Sequence, residues 1–205
     1  MRSKCLLPCV ALAIALIGCE TTVNGRRTPP KDSTHEDTIG VSPFVAERID
    51  RTIRDVPYLQ GRQVVEASAE MVKIGPSAIP KLLEAVSDPE ASRRVFAINV
   101  LGALGNRTVL ATIHARLEDG DPSVRYEAAR ACARLGDWIG MPVLIAGLRD
   151  SSEYARTLCH DALRRHTHMD FGYLPKDAET EREKAAEKWQ EWWASHSKAT
   201  LAARS

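Results

Sequence analysis

The hydrophobic positions beyond residue 75 recur with a period of 31 residues. Residues 79–105, 110–136 and 141–167 align without a gap, and both halves of each block have apolar residues at spacings of three and four. Those spacings are typical of the buried face of a helix, so each unit is predicted to be a pair of short helices. The recurring columns are Ile79, Leu110, Met141; Leu82, Ile113, Leu144; Val86, Leu117, Leu148; Ala97, Ala128, Cys159; and Leu101, Cys132, Leu163.

Glycine and proline mark the ends of these helices. Gly75, Gly105 and Gly136 each follow the second helix of a unit, where a residue that tolerates a left-handed backbone ends the turn. Asp-Pro pairs at 88–89 and 121–122 mark the turn inside a unit. No alternating strand pattern competes, so the predicted fold is an all-α solenoid, a superhelix of antiparallel helix pairs.

An aspartate and an arginine also recur with the period. Each unit has an Asp in its internal turn and an Arg six residues later. A catalytic pair is needed once, so we interpret this recurring pair as part of the frame, with an exposed binding stripe as the alternative. The spacing resembles HEAT repeats, which implies a ladder of charge-assisted hydrogen bonds between successive units. The ladder residues are Asp88, Arg94, Asp119, Arg125, Asp150 and Arg156.

The resemblance to HEAT repeats divides the chain. Residues 75–167 hold three HEAT-like repeats, and residues 43–74 are predicted to form a degenerate helical cap before them. Residues 168–205 leave the period and resemble the tail of bacterial HEAT-repeat proteins, in which a turn leads to a Trp-rich helix. We predict that this helix caps the last repeat; an aromatic patch that grips a partner or a glycan is the alternative. Its tryptophans are Trp189, Trp192 and Trp193.

Residues 1–18 have the pattern of a secretory signal peptide. Arg2 and Lys4 precede an uncharged apolar run that is short for a membrane span. The run ends in Leu-Ile-Gly before Cys19, which resembles a bacterial lipoprotein cleavage box and implies cleavage there and lipidation of the Cys19 thiol. An ordinary signal peptide or an uncleaved anchor are the alternatives. The polar residues 19–42 are predicted to be a disordered tether.

Cleavage of the signal peptide changes the charge balance. Residues 1–18 hold two of the 28 basic residues and none of the 27 acids, so the mature chain is close to a net charge of −1. This balance argues against a nucleic-acid partner, which would normally meet a basic face. We expect a monomer that its lipid anchors to a membrane of the bacterial cell envelope, on the periplasmic side or at the surface.

Little in the sequence indicates metal or redox chemistry. His160, His166 and His168 are close in sequence, but helical geometry does not make them converge, so no metal site is predicted. Cys132 and Cys159 occupy apolar columns, which favours packing, with a disulfide between them as the alternative. No cofactor is predicted.

The predicted function is protein binding by the face that the second helices line. Because the notable polar residues recur with the period instead of converging, we predict no catalytic residues and no enzyme. Two alternatives remain: a purely structural envelope lipoprotein, and a HEAT-type lyase or enzyme subunit that binds a small ligand, since related repeats include chromophore lyase components and metal hydroxylases. The candidate partner-binding residues, whose mixed charge is typical of protein surfaces, are Asn99, Arg130, Arg134, Asp161 and Arg165.

Overall fold

Helices make up the regular structure of residues 42–202, the part of the chain that the computed structural model describes. The predicted signal peptide, the lipidation at Cys19 and all but the last residue of the predicted tether lie outside these residues. None of the described helices is long and apolar enough to cross a membrane. The helices are α1 (Pro43–Asp55), α2 (Arg62–Ile74), α3 (Ile79–Ala85), α4 (Ala91–Leu104), α5 (Leu110–His114), α6 (Pro122–Arg134), α7 (Met141–Gly147), α8 (Glu153–Thr167) and α9 (Glu179–Ala202).

The helices pair within units and stack between units. The first helix of each repeat packs on the second: α3 on α4, α5 on α6, and α7 on α8. The second helices also pack on one another, so α2, α4, α6 and α8 form a continuous row. This arrangement of helix pairs in two layers confirms the predicted all-α solenoid.

The predicted apolar columns lie in the interior. Leu82, Ile113 and Leu144 are inaccessible to solvent, as are all members of the columns that start at Ala97 and Leu101. One group of buried side chains runs from α1 to α6, and a second runs from α6 to α9. Burial of a large aliphatic side chain contributes about 1.5–3 kcal/mol. No single unit encloses its own core, so the fold depends on stacking.

The C-terminal helix covers the end of the stack. α9 packs on α7, and Trp189 is fully buried with its ring edge-on to Phe171 at a centroid distance of 4.8 Å. The Tyr173 hydroxyl donates a hydrogen bond to the carbonyl of Leu148, at the end of α7. Trp192 and Trp193 pack near Trp138, which precedes α7. The predicted Trp-rich capping helix is therefore confirmed.

The first step of the Asp and Arg ladder joins α4 to the next unit. Arg94 donates from Nη2 to Asp119 Oδ1 at 2.8 Å and from Nε to Oδ2 at 3.1 Å. Its Nη1 donates to the carbonyls of Asp88 and Pro89, both at 2.9 Å. One guanidinium thus satisfies the turn of its own unit and binds the carboxylate of the next.

Asp119 holds its negative charge in a nearly closed site. Its side chain is 6 % exposed, and its Oδ1 also accepts from the amide of Asp121 at 3.0 Å. Burial acts to raise the pKa of Asp119, but the hydrogen bonds from Arg94 and Asp121 and the charges of Arg94 and Arg116 lower it below the ordinary value of 3.8. The carboxylate therefore favours the folded state at neutral pH.

The second step differs from the predicted ladder. Arg125 donates to the carbonyls of Asp119 and Gly120 at 2.7 and 3.1 Å, as expected for the turn of its own unit. The carboxylate of Asp150, however, accepts from the Tyr126 hydroxyl at 2.8 Å. The periodic alignment places a valine and a threonine in the column of this tyrosine. The Tyr126 hydroxyl thus binds the carboxylate that the periodic pattern predicts as the partner of Arg125.

The last ladder arginine joins the stack to the C-terminal segment. Arg156 Nη1 donates to the carbonyls of Asp150 and Ser151, both at 2.8 Å. Its Nε donates to the carbonyl of Pro175 at 3.0 Å. Each of the three arginines therefore binds its own turn, while Arg94 also binds the Asp119 carboxylate of the next unit and Arg156 also binds the carbonyl of Pro175.

Replacing Asp119 with Asn tests the charged step of the ladder. The variant keeps an acceptor for the Asp121 amide but loses the charge, so the free energy of unfolding at pH 7 should fall by about 2 kcal/mol. Because the pKa of Asp119 is lowered, its stabilisation is present above pH 3.8 and is lost as the pH falls through the folded-state value. The difference from wild type should therefore shrink in acid, as measured by urea unfolding at several pH values.

The matched control is Asp88→Asn, because Asp88 also accepts from the amide two residues later but its side chain is 22 % exposed. We expect a smaller loss there. An equal loss at both positions, or a difference at Asp119 that does not change with pH, would contradict a special role for the Arg94 and Asp119 pair.

Candidate functional site

A groove of about 660 Å³ lies along the row of second helices. Side chains from α2, α4, α6 and α8 all line it, so the groove exists only when successive units are stacked. We call it the main groove. The lining residues that matter here are Val65, Phe96, Asn99, Glu127, Arg130 and Tyr154.

The rim of the main groove carries exposed apolar side chains. Val65 on α2 is 68 % exposed, and Tyr154 on α8 is 78 % exposed. The wall between them includes Val64 and Val95, which are half-buried, and the buried ring of Phe96. Exposed apolar residues grouped around a concavity are typical of a binding surface.

The floor of the main groove contains a buried acid. Glu127 is 2 % exposed and accepts from Asn99 Nδ2 at 3.0 Å, which ties α6 to α4. Arg130 Nη2 donates to Oε1 of Glu127 at 2.8 Å and forms an ion pair with Oε2 at 2.7 Å. Burial raises the pKa of the Glu127 carboxyl, although the charge and hydrogen bond of Arg130 oppose this effect.

Sequence reasoning missed Glu127, although the alignment contains the signal. In the neighbouring units its column holds Phe96 and Leu158. An acid in an otherwise apolar helical column is either misplaced or bound by polar partners. Here Asn99 and Arg130, two of the predicted partner-binding residues, are those partners.

A second pocket of about 200 Å³ lies between α6 and α8. Arg134 and His166 line it, together with Asp161 and Arg165. Burial and the charge of Arg130 lower the pKa of Arg134, the charge of Glu127 opposes this effect, and the charge of Arg165 adds to the lowering. Arg130 and Tyr154 line both pockets, so the two concavities are adjacent.

The five predicted partner-binding residues thus lie on one surface. Asn99 and Arg130 line the main groove, while Arg134, Asp161 and Arg165 line the second pocket with Arg130. Their polar groups differ in how available they are to a partner, because Asn99 and Arg130 are already bound to Glu127. Asp161 and Arg165 are exposed, and Arg134 is half-buried.

The histidines and cysteines occupy separate environments. His160 is buried against the ring of Tyr173 at a centroid distance of 5.0 Å, and burial lowers its pKa. His168 ends α8 with a left-handed backbone, φ 57°. Across the described side chains, no three His, Cys, Asp or Glu residues form a metal-binding group. Cys132 and Cys159 are free and buried, and burial raises the pKa of each thiol to about 12.

Comparison with known proteins gives a family match and a likeness to solved structures. Residues 79–164, from the start of α3 into α8, match the family described as HEAT repeats. No curated protein sequence matches the chain. Among solved structures, the chain is similar to the complex of CpcE and CpcF of phycocyanin lyase from Nostoc sp. PCC7120, with a TM-score of 0.49 and 21 % identity. The match covers 71 % of this chain and 99 % of that chain.

The lyase structure corrects the prediction that the chain is not an enzyme. That prediction took the periodic polar residues as a reason to exclude an enzymatic role, yet the similar solved chain belongs to a lyase. The exclusion is therefore wrong and is not retained. The structure assigns neither a reaction nor a substrate to this chain. The family match concerns the helix pairs themselves: residues 79–164 match HEAT repeats, and they form the centre of the described all-α solenoid.

Proposed function

We propose that this chain is a HEAT-repeat scaffold that binds a partner protein in the main groove. The observation that carries the proposal is the exposed apolar rim, Val65 and Tyr154, on a groove that four stacked helices line. Stacked helix pairs present extended binding surfaces of this kind. Aromatic and arginine side chains, such as Tyr154 and Arg130, are the types that contribute most to protein interfaces.

The polar part of the groove supports a protein partner as well. Asn99, Glu127 and Arg130 form a closed hydrogen-bonded set that fixes α4 against α6. Arg134, Asp161 and Arg165 surround it with charges of both signs. An apolar centre with a mixed polar rim is the usual composition of a protein interface.

We further propose that the domain works at a membrane of the cell envelope, to which a lipid on Cys19 anchors it. The support is the pattern of residues 1–19, in which two basic residues, an apolar run and a small residue precede the cysteine. The polar segment up to residue 42 would give the domain reach from the membrane surface.

A second candidate function is a subunit of an enzyme that binds a small ligand. One observation favours it: the buried carboxyl of Glu127 lies on the floor of the main groove, where a polar ligand could exchange hydrogen bonds with Asn99 and Arg130. The volume of the main groove also falls within the range of ligand pockets.

Site-specific crosslinking tests the scaffold. A photoreactive phenylalanine analogue in place of Tyr154, in the full chain in cells, should give a discrete crosslinked protein because Tyr154 lies on the apolar rim. The matched control is the same analogue at Ala146, an exposed position on α7 outside the groove. Electrophoresis and mass spectrometry read the products. Identical products at both positions, or none at Tyr154, would reject the scaffold.

The membrane anchor is tested by Cys19→Ala. The variant should lose incorporation of a clickable palmitate analogue and leave the membrane fraction, because a single thiol carries the proposed lipid. Cys9→Ala is the control, since Cys9 lies in the segment that cleavage would remove. Retained labelling in the Cys19 variant would show that the lipid is attached elsewhere, and a wild type without labelling would show that the protein has no such anchor.

A further inference from the structure

Three arginines from two stacked units converge on the second pocket. Arg130 and Arg134 are one turn apart on α6, and Arg165 lies on α8. We call these three residues the arginine cluster. Their proximity is unfavourable on its own, since like charges repel and Arg134 is partly removed from solvent.

The arginine cluster has donors that no other described residue uses. Within the described side chains, Arg134 and Arg165 form neither a hydrogen bond nor an ion pair. Arg130 binds Glu127 through Nη2, but its buried Nε has no hydrogen-bond partner. Buried donors without acceptors are costly, and anionic oxygens, those of carboxylates and phosphates, are the acceptors that guanidinium groups bind most strongly.

The nearby acids do not neutralise the cluster. Glu127 is buried and bound by Asn99 and Arg130, and although its charge also acts on Arg134, it is one acid beside three guanidiniums. Asp161 lies on the exposed rim of the second pocket, and the neighbouring His166 adds no negative charge. The pocket therefore has an excess of positive charge that a ligand could complement.

The cluster lies next to the apolar part of the main groove. Tyr154 and Arg130 line both concavities, so a ligand can contact Val65 and Arg134 without leaving the surface. Helices pack about 8–10 Å apart, so the strip from α2 to α8 is about 25–30 Å long. About eight or nine residues of extended chain span that distance.

We infer that this strip binds an extended acidic segment of the partner protein. The carboxylates of the segment pair with Arg134 and Arg165, and its apolar side chains pack beside Val65, Phe96 and Tyr154. The inference rests on the proposed scaffold function and names the chemistry that the groove selects. A nucleic acid is the less favoured ligand, because its phosphates would have no counterpart along the apolar half of the strip.

Fluorescence anisotropy with peptides of matched length tests the inference. The probes are a labelled peptide of about nine residues, apolar in one half and glutamate-rich in the other, its reversed sequence, and a twin of each with lysine for glutamate. Of the two acidic peptides, the one whose direction matches the groove should bind the purified full chain about tenfold tighter than its lysine twin. Arg134→Ala/Arg165→Ala should remove that preference, and added salt should weaken it.

Two further variants keep the test interpretable. Arg51→Ala/Arg54→Ala removes the same charge from exposed positions on α1 and should leave binding unchanged. Arg134→Lys/Arg165→Lys keeps the charge, so it should retain a weaker preference for the acidic peptide even if the alanine variant loses helicity. No preference for acidic peptides, an unchanged preference in the alanine variant, or tighter binding of a single-stranded oligonucleotide of matched length would overturn the inference.

The crosslink at Tyr154 separates the failure of this inference from the failure of the scaffold. If the crosslinked partner persists while acidic peptides show no preference, the arginine cluster is not the recognition element and the scaffold function stands. If the partner is also absent in wild type, both proposals fail. Loss of the crosslinked partner in Arg134→Ala/Arg165→Ala, with helicity retained, supports both.

Discussion

The close contact between α4 and α6 is the constraint on which the rest of the described structure depends. A Cβ atom placed on Gly102 would lie 2.8 Å from the Cβ and 3.1 Å from the Cα of Ala131, so the helices approach closely only because residue 102 has no side chain. A close backbone contact at a glycine also joins the next unit, where a Cβ on Gly140 would lie 2.7 Å from the Cα of Ala129. Close backbone packing therefore sets the distance between successive repeats.

Polar groups fix the register of that contact from two sides. At the turn side, Arg94 binds the carboxylate of Asp119 in the next unit. On the groove side, Asn99 binds the buried carboxyl of Glu127. Apolar packing alone is tolerant of sliding, whereas a hydrogen bond between charged or buried groups is directional. The interaction that stacks the repeats thus also shapes the floor of the groove, which links the stability of the solenoid to its surface for binding.

The sequence predicted the periodic core and the capping helix, but it missed the contacts of residues that break the period. Leu82, Ile113 and Leu144 lie at equivalent buried positions because each repeat packs its two helices in the same way. The period reveals such positions without a structure. Tyr126 and Glu127 each break their column, and their contacts with Asp150 and with Asn99 depend on the distance between units. Helix phase placed Arg134 and Arg165 on one surface, but the availability of their donors followed only from the contacts of their neighbours. Nothing in the period signals the exposed rim at Val65 and Tyr154.

The stability of Gly102→Ala tests most directly whether close packing of α4 on α6 governs the stack. Alanine is the better helix former by about 1 kcal/mol, so helix propensity alone would stabilise the variant. The added methyl group meets Ala131, and we expect this overlap to dominate and to lower the free energy of unfolding by about 1–2 kcal/mol. Gly120→Ala is the control, because a Cβ there has nothing within 4 Å. Urea unfolding of the full chain in which Gly102→Ala is as stable as wild type, or more stable, would contradict the account.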